Sequence, residues 1–379
     1  MNSRLTRALV VGSTLATMLI GSAAAHAAPG MEVGLQDDAV FLYQNYYSRD
    51  TALDQARQLG VTRLRVNVLW DRVASAQAAQ TTVPAQVTYN WAPYDSLVDA
   101  AAAKGIKVQL SIAGPAPAWA NGMHRHYPRA GAYKPNAYLY GLFARSVAQH
   151  FAGRVDRYSV WNEPNWKGWL APLKTGPQQY AKLFKAGYTG IKSADPNAKV
   201  LFGELAPQER RGASTAPLTF IQQALGRRGR ITADGFAHHP YAFTVSPDST
   251  KGRPNDVTLG TLSRLTDLLK QLAKQHRMRT PQGRSLPVYL TEYGYFARGP
   301  RFLGNARRRA YLKKGFQMAQ QNPAVRELVQ YTLVAPPGNV AWDTSLISAT
   351  GAPSSAFSLL SSWAQGGIAK GILTAVPKL

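Results

Sequence analysis

Short apolar runs recur along the chain, and longer stretches with apolar residues every third or fourth place separate them. The runs Glu32–Leu35, Thr62–Val68, Lys107–Ile112, Arg157–Trp161, Lys199–Gly203, Gly235–His238, Pro287–Thr291 and Leu328–Leu333 predict strands. Helical periodicity falls at Thr51–Leu59, Tyr94–Lys104, Pro135–Phe151, Pro177–Ser193, Ala216–Leu225, Thr258–Gln275, Ala306–Gln321 and Ser354–Trp363. Gly60, Gly105 and Gly153 stand where helices should end before strands, as C-caps do. The strands are apolar enough to be parallel and covered on both faces. Eight strands, each followed by a helix, predict an α/β fold, a single (β/α)₈ TIM barrel. A doubly wound sheet would share the alternation, but no G-x-G-x-x-G follows the first strand. No repeat or low-complexity linker divides the chain, and too few residues follow the last helix for an appended β-sandwich.

The start of the chain departs from this pattern. Arg4 and Arg7 precede the 13-residue, mostly apolar run Ala8–Ile20, and Ala25-His26-Ala27 supplies a small-x-small cleavage pattern. Thirteen residues fall short of the roughly 20 that span a bilayer. Residues 1–27 therefore read as a signal peptide and 28–379 as the barrel, a secreted, extracellular or cell-wall-associated protein without a transmembrane segment.

Composition narrows the chemistry. Cysteine is absent from the 379 residues, which removes disulfides, thiolate metal sites and thiol nucleophiles. Lys and Arg number 44 against 20 Asp and Glu, a net charge of +24. Such a surface favours anionic surroundings. Arg210-Arg211, Arg227-Arg228 with Arg230, and Arg307-Arg308-Arg309 with Lys313 and Lys314 read either as solvated helix ends and loops or as a surface for acidic polymers. No nucleic acid is expected, because the clusters lack interleaved aromatics and follow a leader.

In a barrel of this kind the active site lies at the C-terminal ends of the strands. The fourth predicted strand runs into Trp161-Asn162-Glu163-Pro164-Asn165, and the seventh into Thr291-Glu292-Tyr293-Gly294-Tyr295. Each sets one glutamate at the rim. Two carboxyls facing one cleft suit hydrolysis of a glycosidic bond, one protonated to release the leaving oxygen and one ionised to attack the anomeric carbon.

The pentapeptide resembles the acid/base motif of the clan A retaining glycoside hydrolases, the cellulase-like TIM barrels, with the nearest likeness to compact family 39-like and family 5-like members. The resemblance covers the chain from about Glu32 to Trp363. It implies Glu163 as general acid/base, Asn162 as the neighbour that binds a sugar hydroxyl, and Glu292 as nucleophile. It also implies that Arg65 hydrogen-bonds the nucleophile, that Tyr241 of His239-Pro240-Tyr241 contacts the same carboxylate, and that Trp342 stacks on a pyranose ring. The third strand, ending Ser111-Ile112-Ala113-Gly114-Pro115, lacks the His or Asn often found there.

Other residues keep two readings. Glu204 also ends a strand and is a rival carboxylate, with a substrate-contacting or structural role favoured over catalysis. His238 and His239 are adjacent on a strand and so point to opposite faces, His238 towards packing and His239 towards the site; no metal site and no cofactor are expected. Trp91, Trp119, Trp166 and Trp169 divide between core and cleft, and of Tyr293 and Tyr295 one is expected to face the cleft. The expectation is a monomeric, secreted, retaining glycoside hydrolase acting on a poly- or oligosaccharide that is anionic if the basic surface meets it. A non-catalytic carbohydrate-binding barrel and a basic cell-envelope adhesin stay open beside it.

Overall fold

The computed structural model describes residues 30–123, 130–338 and 340–377. The predicted signal peptide lies outside the described residues. Eight parallel strands close into a barrel: β1 (Glu32–Gln36), β2 (Arg63–Leu69), β3 (Lys107–Ala113), β4 (Arg157–Val160), β5 (Lys199–Leu205), β6 (Gly235–His238), β7 (Val288–Tyr293) and β8 (Val325–Tyr331). Each pairs with its neighbour in sequence, and β8 returns to β1 with Glu32 opposite Glu327 and Gln36 opposite Tyr331. A major helix follows every strand: α1 (Arg49–Gln58), α2 (Ala92–Ala103), α3 (Ala137–His150), α4 (Gly176–Ala194), α5 (Pro217–Leu225), α6 (Leu262–Lys274), α7 (Asn305–Gln321) and α8 (Ser355–Ala369). This is the (β/α)₈ barrel that the hydrophobic pattern predicts.

Local chemistry sets the boundaries. Side chains of Ser48, Asn136 and Ser354 accept hydrogen bonds from Thr51, Leu139 and Phe357 amides at the starts of α1, α3 and α8. Gly60, Gly105 and Gly153 take the left-handed φ expected of helix ends. The predicted eighth strand is displaced, since β8 starts at Val325 and ends at Tyr331. Beyond it the Asp37 carboxylate accepts from the Leu333 and Val334 amides at 3.1 and 3.0 Å and draws the chain off the ladder. Among the described residues the remaining named strands, Ile231–Thr232 and Met278–Arg279, pair with each other and form no sandwich. No helix among them is long and apolar enough to cross a membrane.

The apolar core lies between barrel and helices, where Leu64, Val66 and Val68 of β2 point outward, fully or almost fully buried. The interior of the barrel is polar, against the expectation from apolar strands. At its base Arg63 meets Glu32 at 3.0 Å and Asp156 at 2.6 Å, while Arg157 meets Glu32 at 2.6 Å and Glu327 at 3.1 Å. Leu201, Ala237 and Tyr289 form a small apolar layer above this network. Two residues up β2 from Arg63, the strand's period of two turns Arg65 into the same interior, one level nearer the C-terminal rim.

Candidate active site

Arg65 is the hub of that upper level. Fully enclosed, its guanidinium donates to Glu292 Oε1 at 2.9 Å, Glu204 Oε2 at 3.0 Å, Asn162 Oδ1 at 2.7 Å, Ser111 Oγ at 3.2 Å and Gln36 Oε1. Its acceptors come from the ends of β1, β3, β4, β5 and β7, so one side chain ties much of the rim together. Ser111 of β3 also bonds Ser159 Oγ at 2.9 Å.

His239 is the second hub. Nδ1 lies 3.0 Å from Glu163 Oε1 and 3.6 Å from Glu292 Oε2, and Nε2 lies 2.8 Å from Glu204 Oε2. The Tyr241 hydroxyl donates to Glu292 Oε2 at 3.2 Å. His238 faces the other way, bonded to the Val257 carbonyl at 2.8 Å, and burial holds its imidazole down at about 3. The sequence expectation for both histidines matches these positions.

Backbone irregularity aims the carboxylates. On β5 the pairing with β6 shifts register between Gly203 and Leu205, a bulge that spends one residue and turns Glu204 into the barrel. Gly203 has φ +120°, and a Cβ there would sit 2.3 Å from the Ala237 carbonyl oxygen, so the bulge needs glycine. After β4, Trp161 and Glu163 both take left-handed φ, at 69° and 36°. Such conformations cost on the order of 1–3 kcal/mol each and persist where the surroundings enforce them. Here the Glu163 amide donates to the Glu204 carbonyl at 2.9 Å.

The three carboxylates differ in access. Glu163 and Glu292 side chains are 15% and 12% exposed, whereas Glu204 is closed off completely. Glu204 also accepts from the Thr291 hydroxyl at 2.6 Å. Burial would raise its carboxyl, but Arg65 and His239 outweigh burial and hold it at about 2. It is a permanent anion that positions two cations. Burial works against a charged His239, yet Glu292, Glu163 and Glu204 together push its imidazole up to about 9. Burial lifts Glu292 above the ordinary carboxylate value, with Glu163 and Glu204 adding to it and His239 and Arg65 opposing. Two cations thus stand among three carboxyls.

Donor atoms of Glu163, His239 and Glu292 lie within 4.8 Å of one another, close enough to share a cation. Both His239 nitrogens already face carboxylates, and a protonated ring has no lone pair to give a metal. The set suits proton and carbohydrate chemistry better than metal ligation.

A cleft of about 100 Å³ opens on the Glu163 side, lined by Glu163, Trp166, Tyr241, Phe243, Arg210 and Trp342 among others. Trp342, on the loop after β8 and 37% exposed, packs edge-on against Tyr241 at 5.4 Å. Trp166 joins the cleft. Trp119 is buried against Trp70, Trp91 stacks on His150, and Trp169 packs on the core. Tyr293 and Tyr295 are both buried, against the expectation that one faces the cleft, because Tyr293 packs on Phe316 and Tyr295 on Tyr311 of α7, and the Tyr295 hydroxyl donates to the Val245 carbonyl on the loop after β6.

Sequence reasoning missed Gln36, Asp38 and Tyr331. Asp38 Oδ2 accepts from the Asn67 side chain at 2.9 Å, and burial raises its carboxyl to about 6 despite Arg65. Tyr331, last residue of β8, lies in the field of Glu292, which with burial raises its hydroxyl. An acidic pair ending β1 and an aromatic ending β8 were the available signals.

Residues 26–326 match the family described as Cellulase (glycosyl hydrolase family 5). No curated protein matches the chain by sequence. Its fold is similar to that of a family 39 glycoside hydrolase from the gut symbiont Bacteroides cellulosilyticus WH2, with a TM-score of 0.63 at 19% identity, over 89% of this chain and 64% of that one. The chain thus spans less than two thirds of that protein. Xylanase 10B from Thermotoga maritima shares the fold at a TM-score of 0.58 and 16% identity, over 90% of this chain and 97% of that one. The exo-beta-1,4-mannosidase Op5Man5 from Opitutaceae bacterium strain TAV5 does so at 0.59 and 14%, over 91% and 61%.

Proposed function

The chain belongs to the cellulase family, glycosyl hydrolase family 5; from that premise we propose that it is a glycosidase that hydrolyses O-glycosidic bonds of a poly- or oligosaccharide with retention, using Glu292 and Glu163. The observation that carries the reading is the approach of the two accessible carboxylates, whose nearest donor atoms lie within 4.8 Å. Retaining pairs stand about 5–5.5 Å apart, and inverting pairs about 6.5–9.5 Å, to admit a water.

In the first step a Glu292 oxygen attacks the anomeric carbon as the bond to the leaving oxygen breaks. Glu163 gives that oxygen a proton. In the second step water loses a proton to Glu163 and attacks the same carbon, and Glu292 departs as carboxylate. Glu292 accepts hydrogen bonds from both Arg65 and Tyr241, which fix its oxygens in place, and Glu163 bonds His239 and lines the cleft in which a leaving group would lie. Asn162 is oriented by Arg65 and is placed to meet a sugar hydroxyl beside the bond that breaks. Trp166, Tyr241 and Trp342 give the cleft the aromatic surface that pyranose rings stack on. The leader pattern supports export, so the setting is extracellular or at the cell wall.

The test is turnover of a panel of aryl glycosides and polysaccharides by the unaltered protein beside Glu163→Ala and Glu292→Ala. Activity should vanish in both, and azide should restore Glu163→Ala by forming a glycosyl azide of retained configuration. A product of inverted configuration would overturn the mechanism. Glycan binding with no turnover would favour the non-catalytic barrel.

A further inference from the structure

The cleft beside Glu163 carries charge that hydrolysis itself does not use. Arg210, on the loop after β5, holds its guanidinium 5.6 Å from the centre of the Phe243 ring. Arg301, on the loop after β7, is not itself a lining residue but stands beside the cleft wall, 5.8 Å from the same ring and 5.2 Å from Phe296. Phe243 stacks at 5.6 Å on Tyr241, the partner of Glu292, and Trp342 sits edge-on to it at 6.1 Å. Phe243 takes a left-handed φ of 55°, a strained setting for an aromatic residue. Two cations are thereby anchored on the aromatic wall that runs into the catalytic centre.

Neither guanidinium has a carboxylate partner among the described residues. The nearby acids are committed elsewhere: Glu209, next to Arg210, pairs with Arg253 at 3.2 Å, and Asp343, next to Trp342, pairs with Arg298 at 2.5 Å. A guanidinium held over a ring face by its π cloud keeps N–H groups available for bonds to an oxyanion. Glu163 protonates the leaving oxygen in the proposed mechanism, so a cleft on its side holds the leaving-group portion of the chain. We infer that Arg210 and Arg301 form a subsite that reads an anionic substituent, carboxylate or sulfate, on the sugar leaving from Glu163. This rests on the glycosidase reading and names its substrate class as an acidic glycan.

Binding in a Glu163→Gln background separates the two readings, because it needs no turnover. The probes are polygalacturonate, alginate and hyaluronan, each beside its carboxyl-reduced form, with dextran sulfate beside dextran as the sulfate arm, at 50 and 500 mM NaCl. At least one anionic probe should bind about tenfold or more tighter than its neutral counterpart, the scale of a charge-assisted pair of hydrogen bonds. Changing both arginines, Arg210→Gln and Arg301→Gln, should shrink that ratio to about twofold or less, and whichever arm responds identifies carboxylate or sulfate. Changing Arg227 and Arg228 to Gln, the same charge removed from an exposed turn, should leave the ratio in place. No preference for any anionic probe, a preference that survives the cleft substitutions, or an equal loss in the turn variant would each overturn the subsite. Turnover of neutral glycans without anionic preference would refute it while leaving the glycosidase intact; anionic preference without turnover would do the reverse.

Discussion

Replacing Glu204 with Gln is the most direct test of the site's electrostatics, because it keeps shape and removes one charge. The carboxylate receives Arg65 at 3.0 Å, His239 at 2.8 Å and Thr291 at 2.6 Å with no access to solvent. Burial pushes it up, the two cations pull it down, and it settles at about 2 against an ordinary 4.5. At 1.36 kcal/mol per unit, that depression is equivalent to about 3 kcal/mol of folding free energy. The folded value is depressed, so the contribution is complete above the unfolded value of 4.5 and is lost as pH falls from there towards about 2. Glutamine presents an amide to at least one of the two cations, leaving a buried charge poorly met. Thermal or urea unfolding at pH 7 should show Glu204→Gln about 3 kcal/mol less stable, with the gap shrinking to roughly half by pH 3 as the glutamate of the unfolded chain takes up its proton. Equal stability at pH 7, or a gap that does not change with pH, would refute the assignment of Glu204 as a fixed counter-ion.

Three further outcomes follow from the same geometry. His239 is raised to about 9, so its contribution is complete below about 6.5 and is lost as pH rises through about 9; stability should fall over that window, and His239→Asn should flatten the profile. Gly203→Ala places a methyl 2.3 Å from a carbonyl oxygen at φ +120°, and should cost about 2–3 kcal/mol in denaturant unfolding together with most of the hydrolytic activity, since the bulge aims Glu204. Trp166→Ala removes a ring from the cleft wall and should raise KM for a polysaccharide about five- to tenfold, with a smaller change in kcat; a purely structural role would lower activity and thermal stability together.

Much of this site was legible because its residues lie in short stretches whose chemistry is local. Asn162-Glu163-Pro164 and Thr291-Glu292 directly follow apolar runs, so reading strand ends finds them. Arg65 stands two residues beyond Arg63 on one strand, and sequence could not say which served the base and which the rim; the ion pairs of Arg63 with Glu32 and Asp156 settle that. Glu204 stayed ambiguous because strand alternation turns it outward and only the bulge at Gly203 reverses it, a tertiary event with no periodic trace. Tyr293 and Tyr295 lie two residues apart, so strand alternation gives them one face rather than dividing them between cleft and core, and the packing of α7 encloses both. Tyr331 was hidden by a strand boundary set by Asp37, far away in sequence and close only in the closed barrel.

The same closure gives the charge imbalance a structural meaning. Acids are scarce in this chain, 20 against 44 basic residues, yet Glu32, Asp37, Asp38, Glu163, Glu204, Glu292 and Glu327 lie inside the barrel or at its mouth. Arg63, Arg65 and Arg157 are the basic partners enclosed with them. Seven acids are thereby withdrawn against three arginines, so the outer surface is more basic than the net charge states. An anionic polymer drawn to such a surface gains affinity that salt weakens. Only where guanidiniums are unpaired and anchored, as at Phe243, does that diffuse attraction become a contact able to tell one sugar from another. Salt should therefore lower the affinity of every acidic glycan, while the ratio between an acidic glycan and its neutral form should depend on the two arginines at Phe243.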